Sequence, residues 1–438
     1  MRLSKLPGIF LAALLGIPDF GISACAQVQA PSGFQLTLSE AFARADERNP
    51  QLVTARRILK IGQADITIAG AVPNPIFSVA YGFFDAYALF NNLQQVSIAQ
   101  TFELGGKRDA RLQLAANEYE LTQLQLNAQR FDIHSQVRRA YAEFATSEAQ
   151  VQAIDEQIRL LRQLVELVRK RFNAGAVAEA ELFQAELARN QGEPQRTTAL
   201  SRVQRSRVQL NALLGESPQT ALDVRDKSLF NLDIQKTELT PTQNTRIPSA
   251  EELLERAYAH RLDLRVAVQQ TAVARAQLRV ADSLRTPDVQ AIMGITFTAN
   301  NIGDPQTQGL LIGANIPLPV FYNQRGEIFK AEAVIEQSEL QTTAIRAQIA
   351  AEVQTAYQDL TTAQENIRRY QKRLLPDSAE VVRLARRSYE VGKAGLATVI
   401  LAQQSDQQIR SAYLDTVVAY QNAWADIEKA TGTELSEL

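Results

Sequence analysis

The sequence predicts a mainly helical fold with a small β part, built as two copies of one unit. Three observations predict this fold. Parts of the chain repeat at a nearly constant offset, long proline-free stretches carry a heptad rhythm, and two pairs of short segments alternate like β-strands.

The internal repeat is clearest in two pairs of motifs. Val137-Arg-Arg-Ala-Tyr141 matches Val353-Gln-Thr-Ala-Tyr357 at an offset of 216 residues. Phe172-Asn-Ala-Gly175 matches Tyr389-Glu-Val-Gly392 at an offset of 217. A register that is held over so much of the chain indicates a duplicated unit.

The repeat also predicts the domain boundaries. Gly215 matches Gly432, and residues 48–52 align more loosely with residues 260–264. Prolines between the copies break helices and indicate a loop-rich connection. We predict a first copy at residues 38–215, a connecting segment at 216–248 and a second copy at 249–432.

Each copy is predicted to open with a helix, at residues 38–70 and 249–285, which prolines then end. Two strands follow in each copy, and their length of about ten residues suits a tilted membrane strand. The predicted strands are Ile76–Phe84 and Gln95–Leu104 in the first copy, and Val289–Thr298 and Gly309–Leu318 in the second, with Asn91 and Asn92 in the first turn.

The stretch after each strand pair has a helical period. Residues 106–171 and 326–375 contain no proline. Helices of about 65 residues span on the order of 100 Å, which is over three bilayer thicknesses, so they must project into aqueous space. Their apolar seams are those of ordinary coiled-coil packing. The seam residues are Ile154, Ile158, Leu161, Val165, Val168 and Phe172; Ile349, Val353, Ala356, Leu360, Ala363, Ile367, Tyr370 and Leu374; and Ile409, Tyr413, Thr416, Tyr420, Ala423 and Ile427.

The first residues predict export from the cytoplasm. Arg2 and Lys5 precede a short apolar stretch that ends near Ile17, which is typical of a signal peptide at residues 1–26. Ile22-Ser-Ala-Cys25 resembles a bacterial lipobox, so Cys25 is either lipidated or removed with the signal. No later segment is apolar enough for a transmembrane helix.

Four membrane-type strands per chain predict a shared barrel. Four strands cannot close a barrel, and an open sheet would leave unsatisfied edges in lipid. Two chains would supply eight strands, and three would supply twelve and leave a wider lumen. The sequence leaves both numbers open, although a long helical tube around a wide lumen favours three.

These features resemble those of the TolC-type outer membrane factors over nearly the whole mature chain. The resemblance includes the repeat, the strand-then-long-helix order, and the pattern aromatic-x-x-Gly at residues 172–175 and 389–392, followed by Leu182 and Val399. Within that family, residues 100–108 and 71–75 resemble the CzcC branch, the outer component of heavy-metal efflux systems.

The resemblance implies a passive channel. It implies a homotrimer with a twelve-stranded barrel in outer-membrane lipid and a helical tunnel in the periplasm of a Gram-negative bacterium. Its implied partners are a periplasmic membrane-fusion adaptor and an inner-membrane RND-type pump, which supplies the energy.

The helix-to-helix turns, or tips, are the candidate functional sites. They would lie at the far end from the barrel and dock the adaptor, although their glycines could also serve only to make the turn. The predicted docking residues are Gly175, Ala176, Val177, Gly392, Lys393, Ala394, Gly395 and Leu396.

The resemblance also raises the question of a gate. TolC carries paired aspartates after the second tip glycine, but the matching positions here are Thr398 and Leu401. Glu179 and Glu181, after the first tip, could form an acidic entrance ring instead, or could simply be solvated.

Composition argues against other functions. The net charge of −2 does not favour a nucleic-acid partner, and one cysteine cannot build a disulfide framework. We expect no catalytic, cofactor or metal site, because His134 and His260 lack ligand partners at metal spacing. The alternatives are a drug-efflux or type I secretion duct of the same architecture, or a periplasmic coiled-coil scaffold, against which the strands argue.

Overall fold

The two copies have the same order of elements in the computed structural model, which describes residues 35–84, 91–224, 229, 239–241, 247–299 and 307–433. The first copy and the connecting segment contain β1 (Gln35–Leu36), α1 (Leu38–Arg48), α2 (Pro50–Ala69), β2 (Ile76–Phe84), β3 (Asn91–Phe102), α3 (Lys107–Asn173), α4 (Glu179–Asn190), α5 (Gly192–Leu214) and β4 (Asp223–Val224). The second copy contains α6 (Ala250–His260), α7 (Leu262–Ser283), β5 (Val289–Ala299), β6 (Thr307–Asn315), α8 (Arg325–Arg369), a π-helical turn (Tyr370–Leu374), α9 (Leu375–Glu390) and α10 (Leu396–Thr431). The predicted signal peptide and Cys25 lie outside the described residues.

The opening helix of the first copy is split in two, so the single helix predicted at residues 38–70 is wrong. Thr37 and Glu40 form a capping box at the start of α1, with bonds of 3.2 and 3.0 Å. Pro50 disfavours a helical conformation at Asn49, where the chain leaves the helix with ψ 123°. The Asn49 side chain then accepts the N–H of Gln51 at 2.9 Å and caps α2.

The opening helix of the second copy is split at the matching place. Ser249 caps α6 by accepting the N–H of Glu252 at 3.3 Å. Arg261 is extended, with ψ 122°, and separates α6 from α7, so the single helix predicted at residues 249–285 is also wrong. Arg261 is buried, and its guanidinium donates to the carboxylates of Asp263 and Glu352.

The four longer strands form one antiparallel sheet in the order β2-β3-β5-β6. The two strands of each copy pair with each other, and β3 joins β5 across the repeat. Asn91 and Asn92 belong to β3 and not to a turn, because they pair with Phe84 and Phe83 of β2. β6 ends at Asn315, three residues before the predicted end, because Pro317 follows it.

The long helices confirm the predicted seams with one exception. α3 runs without interruption for 67 residues, and its seam positions from Ile154 to Val168 are buried. In the second copy the seam is buried from Ile349 to Ile367, but Leu374 is exposed and Leu375 is buried instead. The prediction for Leu374 is therefore wrong by one residue.

The π-helical turn explains this shift. A π turn adds one residue to a helix, and Pro376, which has no N–H to donate, lies two residues after its end. The offset of the repeat changes from 216 to 217 between Tyr357 and Tyr389, which is the interval that contains the turn. The one extra residue of the second copy is thus absorbed here, and the seam continues one position later.

Matched glycines end the last helix of each copy. Gly215 and Gly432 end α5 and α10 in the left-handed conformation, with φ 69° and 70°. A Cβ on Gly215 would lie 2.3 Å from the carbonyl oxygen of Arg48, and one on Gly432 would lie 2.7 Å from the Cα of Arg261. Each last helix therefore packs directly against the break between the two opening helices of its copy.

The connecting segment packs against the main core in its described parts. β4 pairs in parallel with β1. Leu229 and Leu239 are buried, and the Leu239 carbonyl accepts the side-chain N–H of Gln421 at 2.9 Å. The described parts of this segment therefore lie against α10.

Candidate functional site

One face of the sheet carries an exposed apolar band. Strand register places two rows of apolar side chains across all four strands on the same face, and all eight are exposed. The rows are Phe77, Ile98, Met293 and Ile312, and Val79, Val96, Ile295 and Leu310. A contiguous exposed apolar surface of this kind indicates contact with lipid or with another protein.

The opposite face of the sheet differs in character. The row between the two apolar rows contains Ser78, Ser97, Gly294 and Leu311, which are mostly small or polar. Alternation between an apolar face and a polar face is typical of strands that separate lipid from an aqueous interior. Among the described residues, no helix has the length and apolarity needed to cross a membrane.

The junction between β3 and α3 is tied to the second copy. Lys107 is buried, and its Nζ lies 2.6 Å from Oδ1 of Asp288, which also accepts the N–H of Leu104. Gly105 has φ 71°, and a Cβ on it would lie 2.6 Å from Cβ of Thr286. The Lys107–Asp288 ion pair therefore joins the two copies at the point where the strands meet the long helix.

The two tips have the same backbone geometry. At the first tip, the N–H of Gly175 donates to the Phe172 carbonyl at 2.8 Å, and that of Ala176 donates to Arg171 at 2.8 Å. Gly392 and Lys393 make the equivalent bonds to Tyr389 and Ser388, at 3.0 and 2.8 Å. Both turns are Schellman motifs, in which Gly175 and Gly392 adopt φ 73° and 76°.

The two tips share one small core. The buried residues of this tip core come from α3, α4, α9 and α10. The two helical hairpins therefore end as one packed unit, although the sequence predicted only two separate turns. The core residues are Leu161, Leu164, Val165, Val168, Ala185, Ala385, Tyr389, Leu396, Val399 and Ala402.

Tyr389 links the tips by polar contacts. Its buried ring lies 4.7 Å from the Arg171 guanidinium, and Arg171 donates to the Tyr389 carbonyl at 2.8 Å. The Tyr389 hydroxyl donates to Oε2 of Glu181 at 3.1 Å. Burial and this bond raise the pKa of Tyr389. Sequence reasoning missed the link, although the difference between Phe172 and Tyr389 at matched positions signals an added hydroxyl.

Most of the predicted docking residues are accessible. Gly175, Ala176, Gly392, Lys393 and Gly395 are exposed. Val177 and Ala394 are partly buried. Leu396 is buried in the tip core, so its side chain supports the turn from inside and is not on the surface.

The predicted entrance glutamates differ from each other. Glu179 is exposed at the start of α4, whereas Glu181 is half-buried and bonded to Tyr389. Thr398 and Leu401, which match the aspartate positions of TolC, are both exposed on α10.

The two histidines lie in different surroundings. His134 Nε2 is 2.9 Å from Oδ1 of Asp46, and its ring stacks on Phe42. His260 ends α6 in the second copy. Within the part of the chain that the structure describes, no group of three or more His, Cys, Asp and Glu residues is placed to hold a metal ion.

Solved structures show which class of protein has this fold. The outer-membrane channel OprN has a TM-score of 0.72 at 18% identity, covering 90% of this chain and 89% of its own. CusC has a TM-score of 0.72 at 17% identity, with coverages of 92% and 93%. VceC of Vibrio cholerae has a TM-score of 0.69 at 20% identity, with coverages of 90% and 96%. The chain thus has the fold of outer-membrane channel proteins.

The family model described as outer membrane efflux protein matches residues 42–216 and 253–433, and the chain belongs to this family. Among curated proteins it is 23% identical over 404 residues to the cobalt-zinc-cadmium resistance protein CzcC of Cupriavidus metallidurans, covering 91% of this chain and 90% of that protein. It is also 23% identical over 322 residues to the nickel-cobalt-cadmium resistance protein NccC of Alcaligenes xylosoxydans xylosoxydans, with coverages of 72% and 68%. The predicted resemblance to the CzcC branch is confirmed.

Proposed function

We propose that this protein is the outer-membrane exit duct of a tripartite efflux system. The apolar band across the four-stranded sheet carries the proposal. It gives each chain a lipid-facing segment next to a helix of about 100 Å. Since four strands cannot close a barrel, we propose that three chains share one twelve-stranded barrel. The helices then extend into the periplasm as a tunnel.

The duct acts as a passive conduit in this proposal. A periplasmic membrane-fusion adaptor docks at the exposed tip residues, such as Gly175, Ala176 and Lys393, and an inner-membrane RND-type pump supplies the energy. The paired Schellman turns support the docking role, because they present two similar surfaces held by one core. The signal at residues 1–26 would direct the chain out of the cytoplasm.

Heavy-metal cations are the proposed cargo. The names of two curated relatives, which refer to cobalt, zinc, cadmium and nickel, support this choice. The inner-membrane pump would select the cation, and the duct would pass what the pump delivers.

Complementation in a metal-sensitive host tests the cargo. The host would lack its outer-membrane duct but retain a metal-type RND pump and adaptor, and the minimum inhibitory concentrations of cobalt, zinc and cadmium would be measured. We expect this protein to restore resistance to these metals. Restored drug resistance or protein secretion, without metal resistance, would contradict the proposed cargo and favour the other ducts.

Conductance tests the channel itself. The detergent-extracted protein would be added to a planar lipid bilayer, where we expect ion-conducting pores. A folded protein that never conducts would instead support the periplasmic scaffold.

A further inference from the structure

The four-stranded sheet has an unusual charge composition. None of the residues that the structure places in β2, β3, β5 and β6 is Asp, Glu, Lys or Arg, although these four types make up 21% of the chain. Contact with lipid explains this composition on the apolar face, because a charge there would be costly. It does not explain the opposite face, since the interior of a membrane barrel is polar and tolerates charged side chains.

The polar face is the concave face of the sheet. Ser97, in the middle of β3, is only 7% exposed, whereas its neighbours Val96 and Ile98 on the apolar face are 37% and 54% exposed. Side chains crowd together on the inside of a curved sheet and spread apart on its outside. The small and polar residues therefore lie on the inside of the curve, where a barrel has its lumen.

Glycines on this face allow neighbouring strands to approach closely. Gly294 of β5 pairs with Ser97, and a Cβ on Gly294 would lie 2.5 Å from the carbonyl oxygen of Val96. Gly309 of β6 pairs with Thr296, and a Cβ on it would lie 2.7 Å from Oγ1 of Thr296. Glycines at such positions permit the curvature of a sheet. Crowding thus explains why these particular positions carry no side chain.

Other positions on the same face have room for a larger side chain. Ala80 of β2 is exposed and pairs with Gln95 of β3. Thr296 is half-buried, and its hydroxyl donates to the Gly309 carbonyl at 3.3 Å. A glutamate could replace Gln95 with little change of size. Crowding therefore explains the glycines but not the uncharged composition of the whole face.

The charges nearest to the strands in sequence are paired. Glu103 directly follows β3, and Asp288 directly precedes β5. Nη2 of Arg111 donates to Oε2 of Glu103 at 2.9 Å, and Nζ of Lys107 lies 2.6 Å from Oδ1 of Asp288. Each of these carboxylates is thus neutralised by a cation of the same chain. The uncharged surface of the strands is continued by ion pairs at this end of the sheet.

We infer that the four strands give the membrane section of the duct a neutral lumen, which neither selects ions by charge nor retains a multivalent cation. Cation-selective pores use rings of Asp or Glu side chains. One carboxylate per chain would form a ring of three in the shared barrel, and such a ring would bind a divalent cation and slow its exit. The inference rests on the proposed function, which supplies the three chains and the metal cargo.

Selection by charge is then left to the helical part of the duct. The tips expose charged side chains, including Glu179 and Lys393. The two ends of the proposed duct therefore differ in chemistry. A cation can meet charged groups where it enters, and it meets a neutral surface in the membrane section before it leaves.

Single-pore recording with cadmium tests the neutral lumen. The full-length protein would be added to one side of a planar bilayer. Its helices of about 100 Å are too long and too polar to cross lipid, so the barrel opens to the opposite compartment. Cadmium chloride would be added to that compartment. We expect the wild-type current to stay unchanged, because the strands offer no carboxylate to the ion.

Added carboxylates should create a ring that retains the cation. Thr296→Glu and, on a different strand, Ala80→Asp should each make the pore prefer cations and let cadmium reduce the current severalfold, reversibly on addition of a chelator. Thr296→Gln and Ala80→Asn are the matched controls, because they have nearly the same size without the charge, and they should behave like the wild type. Thr296→Lys should shift the reversal potential in the opposite direction and show no cadmium block.

The outcomes separate this inference from the proposed function. A wild-type pore that cadmium blocks from the barrel side as strongly as it blocks Thr296→Glu would overturn the neutral lumen, whether or not every variant folds. Charged variants that form pores with an unchanged reversal potential would also overturn it, because this face would then not line the pore. Folded wild-type protein that forms no pores would reject the proposed duct itself.

Discussion

The long helix of the first copy and its counterpart in the second differ at one place. α3 is continuous, whereas α8 and α9 are joined through the π-helical turn at Tyr370–Leu374. An added residue in a regular helix rotates everything after it by about 100°. The π turn prevents this rotation, so Tyr389 reaches the same tip core that Phe172 approaches from the first copy. One copy shows the regular design, and the other shows how a single added residue was accommodated.

Single-residue deletions should have the largest effect and test this comparison directly. Deleting the exposed Glu156 rotates the later part of α3, so its seam residues turn away from the tip core. We therefore expect almost no folded protein in the outer membrane. Deleting the exposed Lys372 restores the α-helical register of the second copy. It should cost roughly 3 kcal/mol, the cost of Pro376 in a regular helix, and leave folded protein in the membrane.

Quantification of trypsin-resistant protein in membrane fractions checks both deletions. Equal loss of protein from the two would contradict the interpretation of the π turn as an absorbed insertion.

Truncating the matched tip aromatics should have the next largest effect. Tyr389→Ala removes a buried ring from the tip core and should lower the free energy of unfolding by about 3–5 kcal/mol. Phe172→Ala should cost less than half as much, because Phe172 is only partly buried. Tyr389→Phe keeps the ring and should cost about 1 kcal/mol for the lost bond to Glu181. Thermal unfolding in detergent measures all three variants. Equal losses of unfolding free energy in Tyr389→Ala and Phe172→Ala would contradict the expectation that Tyr389 contributes more to the tip core than Phe172.

The corner between α1 and α3 should make the first copy sensitive to acid through Asp46. Burial raises the pKa of Asp46, but hydrogen bonds from Arg130 and His134 lower this pKa by a larger amount. The net pKa of Asp46 therefore lies below the usual 3.8. Asp46 therefore contributes stability above pH 3.8 that is lost as the pH falls through its lower folded-state pKa. At the matching corner of the second copy, the uncharged Tyr258 hydroxyl donates to the Arg346 carbonyl at 3.4 Å.

Asp46→Asn should reduce the pH dependence of stability without abolishing it. Burial raises the pKa of Glu352 in the second copy, but hydrogen bonds from Arg261 and Gln348 lower it by more, so Glu352 also contributes stability that is lost in acid. Unfolding temperatures between pH 3 and pH 7 would be compared with those of Tyr258→Phe, which should leave the pH profile unchanged. The outcome that counts against the assignment is an unchanged slope in Asp46→Asn.

Alanine at the tip glycines should have the smallest effect on stability. No atom lies within 4 Å of a Cβ added to Gly175, and only the Arg171 guanidinium lies near one added to Gly392, at 3.9 Å. Each substitution should cost about 1 kcal/mol for the left-handed backbone alone. A much larger loss of metal resistance than of stability would show that the tips also dock the adaptor; equal small losses would leave the glycines with a turn-making role only.

The sequence was sufficient for the repeat, the strands and the long helices, because each depends on a local period. It placed the seam correctly until Leu374, where the period itself changes through backbone hydrogen bonding that spacing alone does not reveal. The breaks at Asn49 and Arg261 were missed for different reasons. Pro50 signals the first break, whereas the second has no proline and depends on tertiary contacts of Arg261.

The candidate site was predicted less completely than the fold. The tip turns follow from aromatic-x-x-Gly, but the buried position of Leu396 and the link from Tyr389 to Glu181 require the packing of four helices. Lys107 illustrates the same limit, because its partner Asp288 lies in the other copy. Contacts between distant parts of the chain are what a periodic pattern leaves undetermined.

The position of β2 and β6 at the ends of the sheet has a genetic consequence. In a ring closed head to tail, a chain with one damaged end still offers an intact end to its neighbours. Such a chain would enter mixed assemblies and stop them from closing, so its allele should be dominant over the wild type. With equal expression of both alleles and random assembly into threes, only about one ring in eight would contain wild-type chains alone.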